Sequence, residues 1–370
     1  MEGNDIGILG RFLDHNRGRV YRLRRSRKTR WLFSLSPRLR TLCEASRAPA
    51  GPEQENLALA AVVNAYEESL LWKAQTAFVC FLEDARVFFS SLGKRKVIDR
   101  SDPRKKDYYS VAVIVKNEAR YLREFLLFYE ETGADRVYLY DNDSTDNLLE
   151  VLAPFLERGF VVYRRWPGHT VQAAAYRDAV RRTRRRTTWL ALIDADEFLF
   201  SPKGPMPEQL KAYEQYPAVG ANWLMFGPCG HEKRPEGLVM DAYDQIDSRP
   251  DYGPNCHIKS IVRPKEVFTV FHPHYAVYRR GRHAVGEDGV PLDNRSTRAF
   301  SLKNNREIFR INHYCTKSLE DLRAKCAKGR ADGSPNADYE GLLRQFEGPQ
   351  VKEDAIKPYA DRVRKRYGET

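Results

Sequence analysis

The stretch Thr187-Thr188-Trp189-Leu190-Ala191-Leu192-Ile193-Asp194-Ala195-Asp196-Glu197-Phe198-Leu199 decides the fold, because a run of apolar residues leads directly into three carboxylates. A short apolar run of this kind is typical of a buried strand with both faces covered. In open α/β sheets the ligand crevice lies outside the carboxyl ends of the strands. The sequence therefore places Asp194 and Asp196 on the floor of such a crevice.

Two neighbouring carboxylates repel each other and resist burial unless a cation holds them. A divalent ion is the expected partner, and ligation by oxygen alone favours Mn²⁺ or Mg²⁺ over zinc. A D-x-D tripeptide also occurs in solvated turns, and the buried strand before Asp194 is what favours the metal site. Replacing either aspartate by alanine is expected to abolish the chemistry while the core still folds.

Upstream of this stretch, short apolar strands alternate with helical segments. Strands are predicted at residues 109–115, 136–140 and 160–163, and the helices between them begin near Arg120, Ser144 and Thr170, with Ser144 as an N-cap. Such regular alternation is typical of an α/β fold with a mostly parallel, doubly wound sheet.

Polar residues follow the ends of three predicted strands, and the carboxyl ends of parallel strands meet at one edge of a sheet. One crevice would therefore collect all of them, which supports a functional site more strongly than any single motif does. The residues are Asn117, Glu118, Asp141, Asn142, Asp194 and Asp196.

Beyond residue 200 the alternation stops, and two features leave alternatives open. An aromatic strand at 223–226 runs into a glycine loop ending in His231, which either closes over a sugar or is an ordinary β-turn. His272 and His274 either ligate a metal or, the favoured interpretation, face polar neighbours from one side of a strand. Ser318 fits a capping box that opens a helix.

Charge and cysteine content limit which classes of partner and which cellular compartment we expect for the protein. The 370 residues contain 62 Lys and Arg against 50 Asp and Glu, a net charge of +12 that favours anionic partners. The six cysteines lack C-x-x-C spacing, which argues against a zinc ribbon or a dense disulfide framework. With no secretory leader and no apolar run long enough to span a membrane, we expect a cytoplasmic protein with reduced thiols, in peripheral contact at most with the inner membrane face.

The organisation predicted along the chain has three parts. Residues 1–105 form a basic and helical extension, 106–330 the α/β domain, and 331–370 C-terminal helices. The arginine-rich residues 17–30 suit an anionic membrane or RNA, although a solvated extension is the favoured interpretation.

Several short motifs, taken in order, resemble glycosyltransferase family 92, which belongs with the family 2-like GT-A glycosyltransferases. The resemblance covers roughly residues 108–330 and extends to no part of the first hundred residues. It rests on Asn117-Glu118, Asp141-Asn142-Asp143, Gln172, Asp194-Ala195-Asp196, Gly230-His231, Lys259-Ser260-Ile261, His272-Pro273-His274 and Ile311-Asn312-His313-Tyr314.

The resemblance implies a GT-A-type fold with a nucleotide-sugar crevice, Mn²⁺ or Mg²⁺ as cofactor and a UDP-sugar as donor. Asp194 and Asp196 would bind the metal on the diphosphate, and His313 would reach the metal or the diphosphate. Family members are inverting β-galactosyltransferases, so galactose is the first sugar expected. The residues implied in donor binding are Asn117, Glu118, Asp141, Asn142, Gln172 and Asp194.

In the expected reaction an acceptor hydroxyl attacks the anomeric carbon while a carboxylate or histidine removes its proton. Asp241 is the first candidate for this base, with His231 and Glu232 behind it. The acceptor is expected to be a glycan or a lipid-linked molecule, and no nucleic acid is expected as partner.

Two other functions remain open. One is a nucleotidyl- or phosphotransferase using the same carboxylate-bound metal, although the chain has no Walker-type phosphate loop. The other is a non-catalytic basic module that binds RNA or a membrane, which would leave the carboxylates at the strand ends without a purpose.

Overall fold

The computed structural model describes residues 70–90, 93, 96–168, 171–249, 253–292, 299–301, 303–328 and 338–368. The chain divides into two compact units. One comprises residues 1–79 with 292–298, and the other comprises residues 80–291 with 299–370. The arginine-rich residues 17–30 lie outside the described residues, as does Thr170, the expected helix start.

The second unit is built on a nine-stranded sheet. Its strands are β1 (Val97–Ile98), β2 (Asp107–Val115), β3 (Arg136–Asp141), β4 (Val161–Arg165), β5 (Thr187–Leu192), β6 (Glu197–Phe200), β7 (Ala218–Met225), β9 (Ile258–Val262) and β12 (Arg310–His313). Four further strands form two small antiparallel pairs, β8 (Gln245–Asp247) with β13 (Gln350–Lys352) and β10 (Val267–His272) with β11 (Tyr275–Tyr278).

The strand order in the large sheet is β1-β4-β3-β2-β5-β9-β7-β12-β6. Neighbours pair in parallel from β4 through β5 and again between β7 and β12, while the remaining pairs are antiparallel. Because β9 reverses the chain direction and β7 restores it, β4, β3, β2, β5, β7 and β12 all run the same way. The predicted α/β fold with a mostly parallel central sheet is confirmed.

Helices cover both faces of this sheet, and its parallel strands β2 and β3 are buried at nearly every residue. Because crossovers between parallel strands are right-handed, α2 (Ala119–Glu131) and α3 (Leu148–Glu157) cover one face, and α4 (Gln172–Thr183), which carries the chain back, covers the other. The helices are α1 (Leu70–Ser90), α2 (Ala119–Glu131), α3 (Leu148–Glu157), α4 (Gln172–Thr183), α5 (Met206–Leu210), α6 (Val239–Ala242), α7 (Leu319–Lys328), α8 (Tyr339–Arg344) and α9 (Lys357–Gly368).

The direction in which the chain adds strands to the sheet reverses between β2 and β5. The chain adds β3 and β4 on one side of β2 and then returns to place β5 on the other. Such a switch point opens a crevice at the carboxyl ends of the two strands. Asn117 and Glu118 follow β2, and Asp194 follows β5, so the topology directs these residues to one place.

The segment after Asp196 differs from the sequence prediction of one strand ending in carboxylates. Glu197–Phe200 forms the separate strand β6, which pairs antiparallel with β12. Residues 194–197, here called the acidic turn, connect β5 to β6, and the N–H of Glu197 donates to the carbonyl of Asp194 at 3.1 Å. The carboxylates are therefore held by strands on both sides.

The sequence signals for helix ends were partly right. Gly133 follows α2 with a φ of +90°, a conformation that favours glycine and stops the helix. Ser318 caps α7, since its Oγ accepts the N–H of Asp321 at 3.1 Å. The prediction of Ser144 as an N-cap was wrong, because α3 begins after Asn147 and the Oγ of Ser144 accepts the N–H of Asn117 instead.

Among the described residues, no helix is long and apolar enough to span a membrane. The cysteines in the same part of the chain, Cys80, Cys229, Cys256, Cys315 and Cys326, are free thiols.

Candidate active site at the carboxyl edge of the sheet

Asp194 lies at the start of the acidic turn and is held by three side chains. Its Oδ1 accepts hydrogen bonds from Gln172 Nε2 at 2.5 Å and from the Tyr176 hydroxyl at 3.0 Å. Its Oδ2 lies 2.9 Å from Lys259 Nζ. Gln172 and Tyr176 project from the first turns of α4, so this helix and β9 together fix the carboxylate.

Lys259 carries its charge without any exposed surface, because it lies between two carboxylates. Its Nζ is 2.9 Å from Asp194 and 3.5 Å from Glu197. Burial opposes the charged form, but the attractions of Asp194 and Glu197 together outweigh it and raise the lysine pKa. In Glu197 burial itself raises the pKa, to about 8, because it disfavours the charged carboxylate. The Oε2 atom of Glu197 accepts the N–H of Asp194 at 2.8 Å. This buried cluster fixes the shape of the acidic turn.

Asp196 lies at the other side of the turn and has two basic neighbours. Its Oδ2 accepts a hydrogen bond from Lys325 Nζ at 2.6 Å, and its Oδ1 lies 3.5 Å from His313 Nε2. Burial opposes the charged form of Asp196, yet the lysine and histidine hold its pKa well below the usual range. Burial lowers the pKa of His313, and the neighbouring Asp196 opposes this effect only in part.

The acidic turn has too few side-chain ligands to hold a hard cation by itself, so substrate oxygens would have to complete the coordination. Within the described residues, no three or more His, Cys, Asp or Glu side chains are grouped to hold a metal. Carboxylates at a crevice suit Mg²⁺ or Mn²⁺, and such ions are commonly held by one or two carboxylates plus substrate phosphates and water. Asp194 and Asp196 would supply the protein ligands, with His313 beside them.

A third lysine, Lys317, lies in the loop between β12 and α7. It adopts a φ of +49°, unusual for a residue with a side chain, and is buried. Its Nζ lies 4.4 Å from the centre of the Tyr121 ring and 3.9 Å from Glu118 Oε2. Lys317 also helps to lower the pKa of Asp196, so it joins the end of β2 to the acidic turn. Unusual backbone conformations of this kind concentrate at ligand sites.

The polar residues after β2 and β3 form a connected group. Asn117 has a φ of +54°, and its Oδ1 accepts the N–H of Thr145 at 2.8 Å. Asp141 accepts the hydroxyl of Tyr163 at 2.7 Å. Asn142 Nδ2 donates to the carbonyls of Trp166 and Gly168, both at 2.9 Å. The structure thus brings together the residues expected at the base and ribose, and the loop carbonyls after β4 join them.

A group of aromatic rings contacts His313, the neighbour of Asp196. The ring of Trp223, on β7, lies 4.2 Å from that of His313 and stacks on that of His257 at 4.7 Å. His274 also contacts Trp223, and its Nδ1 lies 2.8 Å from the carbonyl of Ile258. His272 ends β10 and accepts the N–H of His274, which lies in the turn before β11. The two histidines have polar partners, as expected, but they do not share one side of a strand.

The three candidate bases lie around α6 and the loop before it. Asp241 is in α6 and pairs with Arg364 of α9 at 2.6 Å. His231 closes a β-turn through its N–H to Pro228, which supports the turn interpretation of the glycine loop, and its Nε2 lies 3.1 Å from the carbonyl of Ala242. Glu232 is exposed, and its carbonyl accepts the N–H of Glu320 at the start of α7.

Three site residues were not assigned a role from the sequence: Tyr176, Lys259 and Lys325. Lys259 carried a usable signal, because a lysine inside the apolar strand Ile258–Val262 is almost never buried unless it is paired. Tyr176 lies one helical turn after Gln172, so it shares the face of that residue. Lys325 gave no signal, since α7 contains several charged residues and only the tertiary structure selects one.

Comparison with known proteins gives one family. Residues 108–317 match the family model described as glycosyltransferase family 92. A family 92 protein from Oryza sativa subsp. japonica is 32% identical over 166 residues, which are 44% of this chain and 28% of the relative. One from Arabidopsis thaliana is 26% identical over 168 residues, 42% of this chain and 28% of the relative. The chain therefore matches less than a third of the length of these relatives.

Two solved structures show a weak overall likeness. Staphylococcus aureus TarS 1–349 in complex with UDP has a TM-score of 0.29 at 13% identity, over 65% of this chain and 70% of that one. The mannosyltransferase PcManGT from Pyrobaculum calidifontis, in complex with GDP-Man and Mn²⁺, has a TM-score of 0.30 at 15% identity, over 80% and 86%. Likeness at this level carries no information about the ligands of this chain.

Proposed function

The chain belongs to glycosyltransferase family 92, and we propose that it transfers a hexose, galactose first, from a UDP-sugar to a glycan or other hydroxyl acceptor with inversion. The observation that carries the proposal is the placement of Asp194 and Asp196 in one turn at the switch point of the sheet. A crevice there is where α/β proteins bind nucleotides.

Asp194 and Asp196 would hold Mn²⁺ or Mg²⁺, which supplies Lewis-acid stabilisation to the departing diphosphate when it is bound. The protein contributes rigidity, since Lys259, Gln172 and Tyr176 prevent Asp194 from turning away. Positioned charges of this kind need no reorganisation as negative charge develops.

The nucleoside would bind beside β2 and β3. Asn117, Glu118, Asp141 and Asn142 would hold the uracil and the ribose. Their support is the connected hydrogen-bond group described above, in which Asn142 and Asp141 are each only 6% exposed. Side chains so constrained present their remaining polar atoms in fixed directions, which favours discrimination between nucleotides.

The acceptor hydroxyl would lose its proton to a base in the region of α6. Asp241 remains the first candidate, with His231 and Glu232 behind it. Asp241 keeps about a third of its side chain exposed, at 36%, in spite of its pairing with Arg364. A carboxylate that stays accessible to an acceptor can take a proton from its hydroxyl group.

A panel of nucleotides tests this function without knowledge of the acceptor. We expect UDP with Mn²⁺ to raise the melting temperature of the 370-residue chain, because ligands that bind only the folded state stabilise it. GDP, CMP and ATP with the same metal should give smaller shifts. Among donors, UDP-galactose should be hydrolysed fastest, ahead of UDP-glucose and UDP-N-acetylhexosamines.

The alternative functions predict a different pattern of thermal stabilisation and of donor preference. A nucleotidyl- or phosphotransferase would be stabilised by ATP or another nucleoside triphosphate more than by UDP. A preferred GDP- or CMP-sugar would overturn the roles given to Asp141 and Asn142, while the roles of Asp194 and Asp196 could stand.

A further inference from the structure

Every oxygen of the two candidate metal-binding carboxylates already has a protein partner. Asp194 is contacted by Gln172 and Tyr176 at Oδ1 and by Lys259 at Oδ2. Asp196 has His313 at Oδ1 and Lys325 at Oδ2. The carboxylate oxygens keep lone pairs for a metal, but a divalent cation bound between them would repel the ammonium groups that are already there.

The five partners differ in how easily they can leave. Lys259 and Tyr176 have no exposed surface, and Gln172 and His313 are 8% and 7% exposed. Lys325 is the exception, since 40% of its side chain is exposed. It projects from α7 on a flexible four-carbon stem that can change rotamer without moving the backbone.

A displaced ammonium would need a new anion close by. Lys325 Nζ also donates a hydrogen bond to the carbonyl of Cys315 at 2.9 Å, which keeps its side chain at this corner. Lys317 already places a buried cation there, 3.9 Å from Glu118. The diphosphate of a nucleotide sugar, brought in with the metal, supplies negative charge at the same place.

Resting on the proposed function, we infer that Lys325 is a displaceable counter-ion. It neutralises Asp196 in the donor-free protein, leaves Asp196 when the divalent cation binds, and then pairs with the diphosphate beside Lys317. Lys317 and Lys325 together form an anion subsite for the diphosphate.

The charges support this exchange. In the donor-free corner, Lys259, Lys317 and Lys325 face Asp194, Asp196 and Glu118, and the buried Glu197 lies 3.5 Å from Lys259. A divalent cation alone would give this corner an excess of positive charge. A metal–diphosphate pair restores the balance, so metal and nucleotide should bind cooperatively.

Two binding measurements on Lys325→Met separate this role from a structural one. Removing a competitor should strengthen binding of Mn²⁺ alone, followed by electron paramagnetic resonance, by about tenfold. Removing a diphosphate contact should weaken UDP binding in saturating Mn²⁺, followed by calorimetry, also by about tenfold. Lys325→Arg should restore UDP binding because it keeps the charge.

Arg323→Met is the matched control, since it removes one positive charge from the same helix. Arg323 is exposed and lies over the ring of Tyr339, away from Asp196. This variant should leave both affinities unchanged. The melting temperature of each variant without ligand checks that it is folded.

The outcomes are distinguishable. If Lys325→Met weakens Mn²⁺ and UDP binding together, Lys325 merely positions Asp196, and the inference is wrong. If it changes neither affinity, or if Arg323→Met has the same effects, Lys325 has no part in the site. If the wild-type protein itself binds neither Mn²⁺ nor UDP, the proposed function fails and the inference fails with it.

Discussion

The Nζ atom of Lys259 lies 2.9 Å from the Oδ2 atom of Asp194, although the lysine has no exposed surface. This contact gives Asp194 two roles. It is a candidate metal ligand at the crevice, and it is also a counter-ion for a charge inside the sheet. Asp196 is an equally good candidate for a metal ligand, but it is not the counter-ion of a buried charge, because its lysine partner, Lys325, is 40% exposed. The two aspartates should therefore respond differently to mutation.

Asp194→Ala should destabilise the protein more than Asp196→Ala. The first change leaves Lys259 buried with Glu197 alone, and breaking a buried pair costs roughly 3–5 kcal/mol. The second lets Lys325 return to water, at a cost of about 1 kcal/mol. Free energies of unfolding from urea titration test the order. Equal losses would mean that Lys259 is not held by Asp194, and the expectation that both variants fold like the wild type would then stand.

The buried carboxyl of Glu124 should make stability fall as pH rises. It accepts the N–H groups of Val239 and Met240, and burial raises its pKa from 4.5 to about 7. Between these values the folded state holds a proton that the unfolded state has lost. The contribution of Glu124 is therefore fully present below pH 4.5 and is lost as pH rises through about 7.

Glu124→Gln should remove this component. The difference in unfolding free energy between wild type and variant should shift in favour of the variant from about pH 5 to pH 8. Urea titrations at intervals across this range measure it. Curves that stay parallel for the two proteins would show that Glu124 is ionised in the folded state throughout.

A pair of variants tests Asp241 as the base. Asp241→Asn should reduce transfer to acceptor by at least about a hundredfold, the contribution typical of proton transfer, while UDP binding is unchanged. Arg364→Gln breaks the same ion pair, recorded at 2.6 Å, but keeps the carboxylate. It should retain most of the activity. Equal losses in both variants would identify the ion pair as structural and direct the search for the base to His231.

The basic N-terminal region gives a prediction that depends only on its charge. If residues 17–30 hold the protein on an anionic membrane, deleting them should release it from vesicles rich in phosphatidylserine. Hydrolysis of free UDP-sugar should be unaffected. Vesicle binding that survives the deletion, or that resists raised salt, would rule out this contact.

The sequence predicted the parallel half of the fold because its signals are local. The apolar runs of β2, β3 and β5, and the helices between them, are recognisable from a few residues each, and glycine marks the end of α2. The antiparallel strand β6 was missed because its partner, β12, is more than a hundred residues away. Pairing at that separation leaves no local pattern.

In the candidate site, too, the residues with a local sequence signal were predicted and those defined only by tertiary contacts were not. Asp194, Asp196 and His313 were expected together, and the structure places Asp196 beside His313. The lysines that neutralise the carboxylates were not expected, since a sequence shows a charge but not its partner. Ser144 illustrates the reverse case, because a hydrogen bond from Asn117 overrides its local preference for capping a helix.

The most direct test of the proposed function is the release of UDP from UDP-galactose by the wild-type protein and by Asp196→Ala, each with EDTA and then with excess Mn²⁺. We expect release by the wild type to stop with EDTA and to return with Mn²⁺, and Asp196→Ala to stay inactive in both conditions while its melting temperature remains close to that of the wild type. Full activity of Asp196→Ala with Mn²⁺ supplied, or wild-type activity that EDTA leaves unchanged, would contradict the assignment of a metal-dependent site to the acidic turn.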